Sequence, residues 1–152
     1  MLSERTTISS PWPSGTEISE LNALGQYLAS PQLTSDELII FFQAHNMTGG
    51  LGENDIWMAS RSDRNQPFEN VRNLSEINTA SIEACPNISP DGLTLHFTST
   101  RNNDQQIYHI YKATRTSRNM PFSNVEHVVS LDKGNECSSF PSVTSDAKTI
   151  YF

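Results

Sequence analysis

Hydrophobic and polar residues alternate with a period of two in several short runs of this chain. In "LTLHFTST", from Leu93, the apolar Leu93, Leu95 and Phe97 interleave with Thr94, His96 and Thr98. That is the pattern of a strand with two unlike faces. The run follows Ser89-Pro90-Asp91-Gly92, where Pro presets φ and Gly accepts a positive φ, so a tight reversal is expected there. The segment "PNISPDGLTLHF", from Pro86, has counterparts in "PQLTSDELIIFF", from Pro31, and "PSVTSDAKTIYF", from Pro141, at successive steps of 55. Asp36, Asp91 and Asp146 keep that step, and so do Phe42, Phe97 and Phe152. The sequence therefore carries an internal repeat.

The register extends beyond this hairpin. "DIWMASRSDRNQPFENV", from Asp55, matches "HIYKATRTSRNMPFSNV", from His109, at a step of 54, and "PWPSGTEISELN", from Pro11, resembles "PFENVRNLSEIN", from Pro67, at a step of 56. One copy reads as four strands a to d: "EACPNIS", then "LTLHFTST", then "IYHIYKATR" or "DIWMASR" after a polar loop, then "NVEHVVSL" or "NVRNLSEI". Aromatic and β-branched residues favour the strand reading. Helical periodicity is weak throughout, with room for one short turn between Glu17 and Ser30.

Four short strands per unit, rich in turns and aromatics, with a period of about 55, is the expectation for a β-propeller blade. "SPDGLTLHFTSTR" followed by "QIYHIYKATR" resembles the TolB-type, or WD40-like, propeller repeat, over roughly residues 22–152. The first and third copies depart from Pro-Asp-Gly with Ser35-Asp36-Glu37 and Ser145-Asp146-Ala147, and His109 stands where the pattern has an Asp, as at Asp55. The resemblance implies a fold more than a function, because such repeats serve binding scaffolds, translocation proteins and non-catalytic domains of peptidases alike.

The expected fold class is therefore all-β, with about two and a half blades in one domain, 1–152. An N-terminal segment with an outer strand occupies 1–29, full blades occupy 30–80 and 81–133, and the start of a third occupies 134–152. A propeller typically needs at least about four blades to close. Three readings are open: a piece of a longer propeller, a ring completed by a second copy, or an open half-propeller or sandwich with covered edges. Each calls for a protein partner or self-association through strand edges.

Composition narrows the partners. A net charge of −7 and a pI near 4.9 argue against nucleic acid or an anionic membrane surface, which need clustered Lys and Arg. No apolar run approaches the roughly 20 residues that span a bilayer, and "MLSERTTISSPWPSG" lacks the apolar core of a signal peptide. As written the chain reads as cytoplasmic, or as periplasmic or exported if its N-terminus is truncated. Cys85 and Cys137 read as small buried or half-buried thiols, with a bridge between them left open.

Repetition also sorts candidate chemistry, since a residue that recurs in register is explained by the fold. Asp36, Asp91 and Asp146 fall to the a–b turn, and Arg61, Arg64, Arg115 and Arg118 to contacts between blades. Unrepeated are His45, His96, His109, His127, Glu83, Cys85, Asn87, Glu136, Cys137 and Trp57. If the a strands line a central channel, Glu83, Asn87, Glu136 and Ser138 are best placed to meet a ligand there. The histidines show no ligand-like spacing and no metal or cofactor is expected; His96 reads as a hydrogen-bonded histidine between blades. "NMTGGLGEND", Asn46 to Asp55, lacks the carboxylate spacing of a calcium loop and reads as a flexible b–c loop. No nucleophile elbow, phosphate loop or His-Glu-x-x-His pattern occurs. The leading functional expectation is a non-catalytic binding or scaffolding module for a protein or carbohydrate partner. The alternative is a polysaccharide-active enzyme, or the propeller of one, with Glu83 and Glu136 as acid and base.

Overall fold

The computed structural model describes residues 1–24, 27–101, 107–134 and 136–152. The chain is all-β, with two antiparallel four-stranded sheets and a two-stranded hairpin. The first sheet runs β1 (Tyr27–Leu33), β2 (Ile39–His45), β3 (Asn54–Ser60) and β4 (Glu69–Asn73) in spatial order. The second repeats that order with β5 (Glu83–Ile88), β6 (Thr94–Ser99), β7 (His109–Thr114) and β8 (Ser123–His127). The hairpin pairs β9 (Ser142–Val143) with β10 (Ile150–Tyr151). Most of the polar loop before β7, residues 102–106, lies outside the described residues.

Period-two alternation lets each central strand serve two cores. Phe41, Ile56 and Met58 face the second sheet and pack with Leu74, Ile77, Ile88, Leu95, Phe97, Tyr111, Ala113 and Phe122. Their neighbours Ile40, Phe42, Trp57 and Ala59 face the other way, against Leu21 and the partly buried Ile18 and Leu24. The first sheet is thus covered on both faces, by the second sheet and by the N-terminal segment. At about 25 cal/mol per Å² of apolar surface removed from water, such side chains contribute roughly 1.5–3 kcal/mol each.

Positive φ at non-glycine residues marks equivalent points. Ser30, Cys85 and Phe140, at steps of 55, have φ of 51°, 51° and 55°. Each precedes a proline, and in β1 and β5 the ladder register shifts there. Pro31 and Pro86 have no N–H to give the ladder, so the strand bulges at that point. Asn70 and Asn124 take φ of 52° and 50° where β4 and β8 shift against β3 and β7, and Asn tolerates that conformation better than most residues. In the a–b turns Gly92 has φ 75°, while Glu37 and Ala147 hold 61° and 56° without glycine's freedom.

The turn aspartates behave as their recurrence predicts. Asp36, Asp91 and Asp146 each accept through Oδ1 from a hydroxyl two residues earlier, at 2.6 Å in all three turns, and from a backbone N–H two residues later. Arg61 and Arg115 reach back to the carbonyls of Glu37 and Gly92 at 2.9 and 2.7 Å, so their main bonds are within a sheet. Arg118 donates across the junction to Asp36 Oδ2, and the Arg115 guanidinium lies over the Phe41 ring of the first sheet, 5.9 Å from its centroid.

Two expected strands differ. The outer strand foreseen in the N-terminal segment is absent: residues 1–24 hold only a bridge between Leu2 and Thr16 and a helix, α1 (Ser19–Asn22). Pro11 and Pro13 cannot donate to a ladder, and no described strand lies beside them. What the step of 56 does preserve is the turn that follows. The N–H groups of Leu21 and Asn22 bond Ile18 O, as those of Ile77 and Asn78 bond Leu74 O. The fourth strands are also shorter than their alternation suggests, ending at Asn73 and His127, and the third copy of the turn is a 3₁₀ helix at Val129–Leu131.

Candidate functional site

The strands β1, β5 and β9 come together. Asn87 Nδ2 donates to Gln32 Oε1 at 3.4 Å and its Oδ1 accepts from Val143 N at 3.1 Å, so one side chain joins both sheets and the hairpin. Beside it, Gln43 Oε1 accepts from Cys85 N at 3.1 Å, and Phe140 N donates to Thr98 Oγ1 at 3.3 Å. These bonds frame an open cleft of about 440 Å³. Tyr27, Tyr108 and Phe140 supply aromatic surface to it, and Ser30, Gln43, Asn54, Thr98 and Ser139 supply neutral polar groups. Tyr27 and Phe140 are 71% and 70% exposed, so the aromatic rims are available to an incoming molecule.

Among the described residues, no carboxylate, histidine, lysine or arginine lines the cleft. Its one thiol, Cys85, is half-buried, and burial pushes its pKa up against hydrogen bonds that act the other way. The protonated thiol is a poor nucleophile. Both cysteines are free, Cys137 being exposed.

The four residues expected to face a channel meet different fates. Asn87 is half-buried, holding three strands together. Glu83 is completely buried; its carboxylate accepts from Thr79 N at 2.6 Å, Thr79 Oγ1 at 2.9 Å and Ser99 Oγ at 2.7 Å, and pairs with Arg101 at 3.2 Å. Oε1 takes the two hydroxyls and the guanidinium, and Oε2 takes the amide. Ser138 is buried, its Oγ donating to Leu131 O at 2.8 Å. Glu136 is exposed, in an isolated bridge with Lys133. Glu83 and Glu136 thus have opposite environments, one sealed and one solvated.

The loop at 46–54 is tied down, not loose. Asp55, buried to 1% exposure, accepts from Leu51 N at 2.6 Å and Gly52 N at 3.3 Å, which folds the loop over its own strand. Burial raises the Asp55 pKa, with those two amide bonds opposing. His96 does lie between the second sheet and the hairpin, by Val143 and Ile150, yet its buried Nδ1 has no hydrogen-bond partner. Burial lowers its pKa, helped by the positive charge of Lys112.

A second arrangement was not anticipated. His109 on β7 and His127 on β8 both converge on Asp132, just past the 3₁₀ helix. His109 Nδ1 and His127 Nε2 each donate to Asp132 Oδ1 at 2.9 Å. The imidazoles stand edge to face with centroids 4.9 Å apart, and His127 stacks on Tyr111 at 5.0 Å. Partial burial alone would raise the Asp132 pKa, but the bonds and charges of the two histidines hold it below the usual carboxylate range. A signal for this group is present in the sequence. At a step of 54, His109, His127 and Asp132 occupy the register of Asp55, Asn73 and Asn78.

Among the described residues no helix is long and apolar enough to cross a membrane. No protein-family model matches the chain, and no curated protein matches it.

Proposed function

We propose that this chain is a non-catalytic binding or scaffolding module of the TolB-like propeller type, with its two sheets as blades and the cleft between β1, β5 and the segment at Phe140 as its ligand face. The observation that carries this reading is the lining of the cleft: exposed aromatic surface set among amide and hydroxyl groups. Its size is within the range of ordinary ligand sites. Flat aromatic faces flanked by neutral hydrogen-bonding groups suit a sugar ring or an extended peptide. The hydrolase alternative draws no support from Glu83, which is completely buried and bonded to Thr79, Ser99 and Arg101.

The blade reading is supported by the matched strand order of the two sheets and by the junction between them. There Arg118 bonds Asp36, while Arg64, at the same register in the first sheet, turns to Glu37 instead, at 3.6 Å. On the hairpin, Tyr151 and Phe152 are 66% and 40% exposed. Such surface and the free edges call for a further sheet, which a second copy can supply.

Light scattering on the 17.0 kDa chain during size-exclusion chromatography tests the self-association. A discrete species of about twice that mass supports closure by a second copy; a monomer at every concentration removes it and leaves the edges to a different partner. Incubation with soluble polysaccharides tests the catalytic question: release of new reducing ends that is abolished in Glu136→Gln would overturn the binding-module reading.

A further inference from the structure

We propose that His109, His127 and Asp132 form a binding site for a divalent first-row transition-metal ion such as Zn²⁺. Their ligand atoms, His109 Nδ1, His127 Nε2 and a carboxylate oxygen of Asp132, all lie within 4.8 Å of one another, on three separate backbone segments. Ligands about 2.0–2.2 Å from a tetrahedral ion stand roughly 3.3 Å apart. To admit it, the two hydrogen bonds of 2.9 Å open slightly, with loss of the shared protons, while ligand atoms up to 4.8 Å apart draw together on the ion. The side chains of His109, His127 and Asp132 are 14%, 29% and 23% exposed, so the ion has an approach from solvent and keeps at least one position for water or a ligand oxygen.

The scaffold holds these atoms in place without an ion. Val128 N bonds Ile110 O at 2.9 Å and Leu131 N bonds Val128 O at 2.9 Å, fixing the turn that carries Asp132 against β7. The His127 ring lies nearly parallel to Tyr111, at 18°, itself buried in the core between the sheets. Two imidazoles and one carboxylate suit ions of intermediate softness such as Zn²⁺ better than Ca²⁺ or Mg²⁺, which prefer oxygen.

The first sheet supplies the comparison that separates function from folding. At the same register Asn78 Oδ1 accepts from Ile56 N at 3.0 Å, and its Nδ2 donates to Ile56 O at 2.8 Å and Asn73 Oδ1 at 3.0 Å. Asn78 is thus fully bonded at this corner with no imidazole present, although the buried Asn73 Nδ2 has no partner among the described residues. The fold does not require two histidines and an aspartate there, and their joint substitution in one sheet alone is what a metal site demands.

The test uses the full chain with Cys85→Ser and Cys137→Ser, so that thiolates cannot contribute. Competition of Zn²⁺ against a chromophoric chelator, and the visible spectrum of the Co²⁺ form, read stoichiometry and geometry. One equivalent per chain with micromolar or tighter affinity and a tetrahedral or five-coordinate Co²⁺ spectrum is expected. His127→Asn with Asp132→Asn gives this corner the residues the first sheet already uses, so it should fold while losing at least about tenfold in affinity. His109→Gln alone, which leaves the Asp132 to His127 bond intact, should weaken binding in the same direction. Absence of stoichiometric Zn²⁺ binding, or binding unchanged in a folded His109→Gln chain, overturns the proposal.

Discussion

Arg118 reaches across the junction between the two sheets to Asp36, 82 residues earlier, while its Nε holds Asp91 O at 2.8 Å within its own sheet. One guanidinium therefore fastens the turn of each sheet to the other. Both side chains are about one-third exposed, so solvent screening limits the pair to about 1 kcal/mol. In a double-mutant cycle of Arg118→Ala and Asp36→Ala, urea unfolding should give a coupling energy of about 0.5–1 kcal/mol that shrinks in high salt. Additive single effects would show that this pair contributes nothing to holding the two sheets together.

The turn aspartates fix the acid response. Hydroxyl hydrogen bonds from Thr34, Ser89 and Thr144 are the leading cause that lowers Asp36, Asp91 and Asp146, and the Arg118 charge assists the first two. A carboxylate lowered in the fold adds stability above its unfolded value of about 3.9 and loses it as pH falls through the folded value. Asp55, raised by burial, runs the other way: its contribution is present in acid and lost as pH rises through its folded value. Asp91→Asn should therefore be less stable than the parent at pH 7, with a gap that narrows between about pH 5 and pH 2. A gap that stays constant over that range contradicts the assignment.

Glu83 is a structural anchor. Replacing it with Ala leaves the Arg101 charge without its carboxylate, though still bonded to Ile77 O and Ser99 Oγ, and removes the acceptor of three donors from Thr79 and Ser99 in a buried site. Removing one member of such a pair costs about 3–5 kcal/mol, and thermal unfolding of Glu83→Ala should show a loss of that order. A near-neutral change would mean that the site admits water.

Gly52 faces a harder limit. A Cβ built there would lie 2.1 Å from Ser81 O and 3.0 Å from Thr79 O, both backbone atoms of the segment entering the second sheet. Gly52→Ala should cost about 1–3 kcal/mol through displaced backbone. Gly134, with open space around the built Cβ but φ of 68°, should cost only the conformational strain of about 1 kcal/mol when replaced by Ala. Equal losses from the two would contradict the close approach.

The strands were legible because alternation and the steps of 54 and 55 state the same register twice. The turn aspartates were legible for the same reason, and their hydrogen bonds match in all three copies. The burial of Glu83 was not: Thr79, Ser99 and Arg101 surround it only after β5 and β6 pair. The histidine group escaped because 18 residues separate His109 from His127, and only the antiparallel pairing that sets Tyr111 opposite His127 brings them together. The N-terminal strand misled because the likeness from Pro11 is real at the turn, Ile18 to Asn22, and fails in the strand, where prolines interrupt the ladder.

Chemical-shift mapping on ¹⁵N-labelled protein, with soluble oligosaccharides and short extended peptides added in turn, reaches the central claim most directly. The account predicts saturable shifts confined to the cleft, at Ser30, Gln43, Cys85, Thr98 and Phe140, for at least one of these ligands, and their loss in Gln43→Ala. Shifts that cluster on a different face, or persist unchanged in Gln43→Ala, would contradict it.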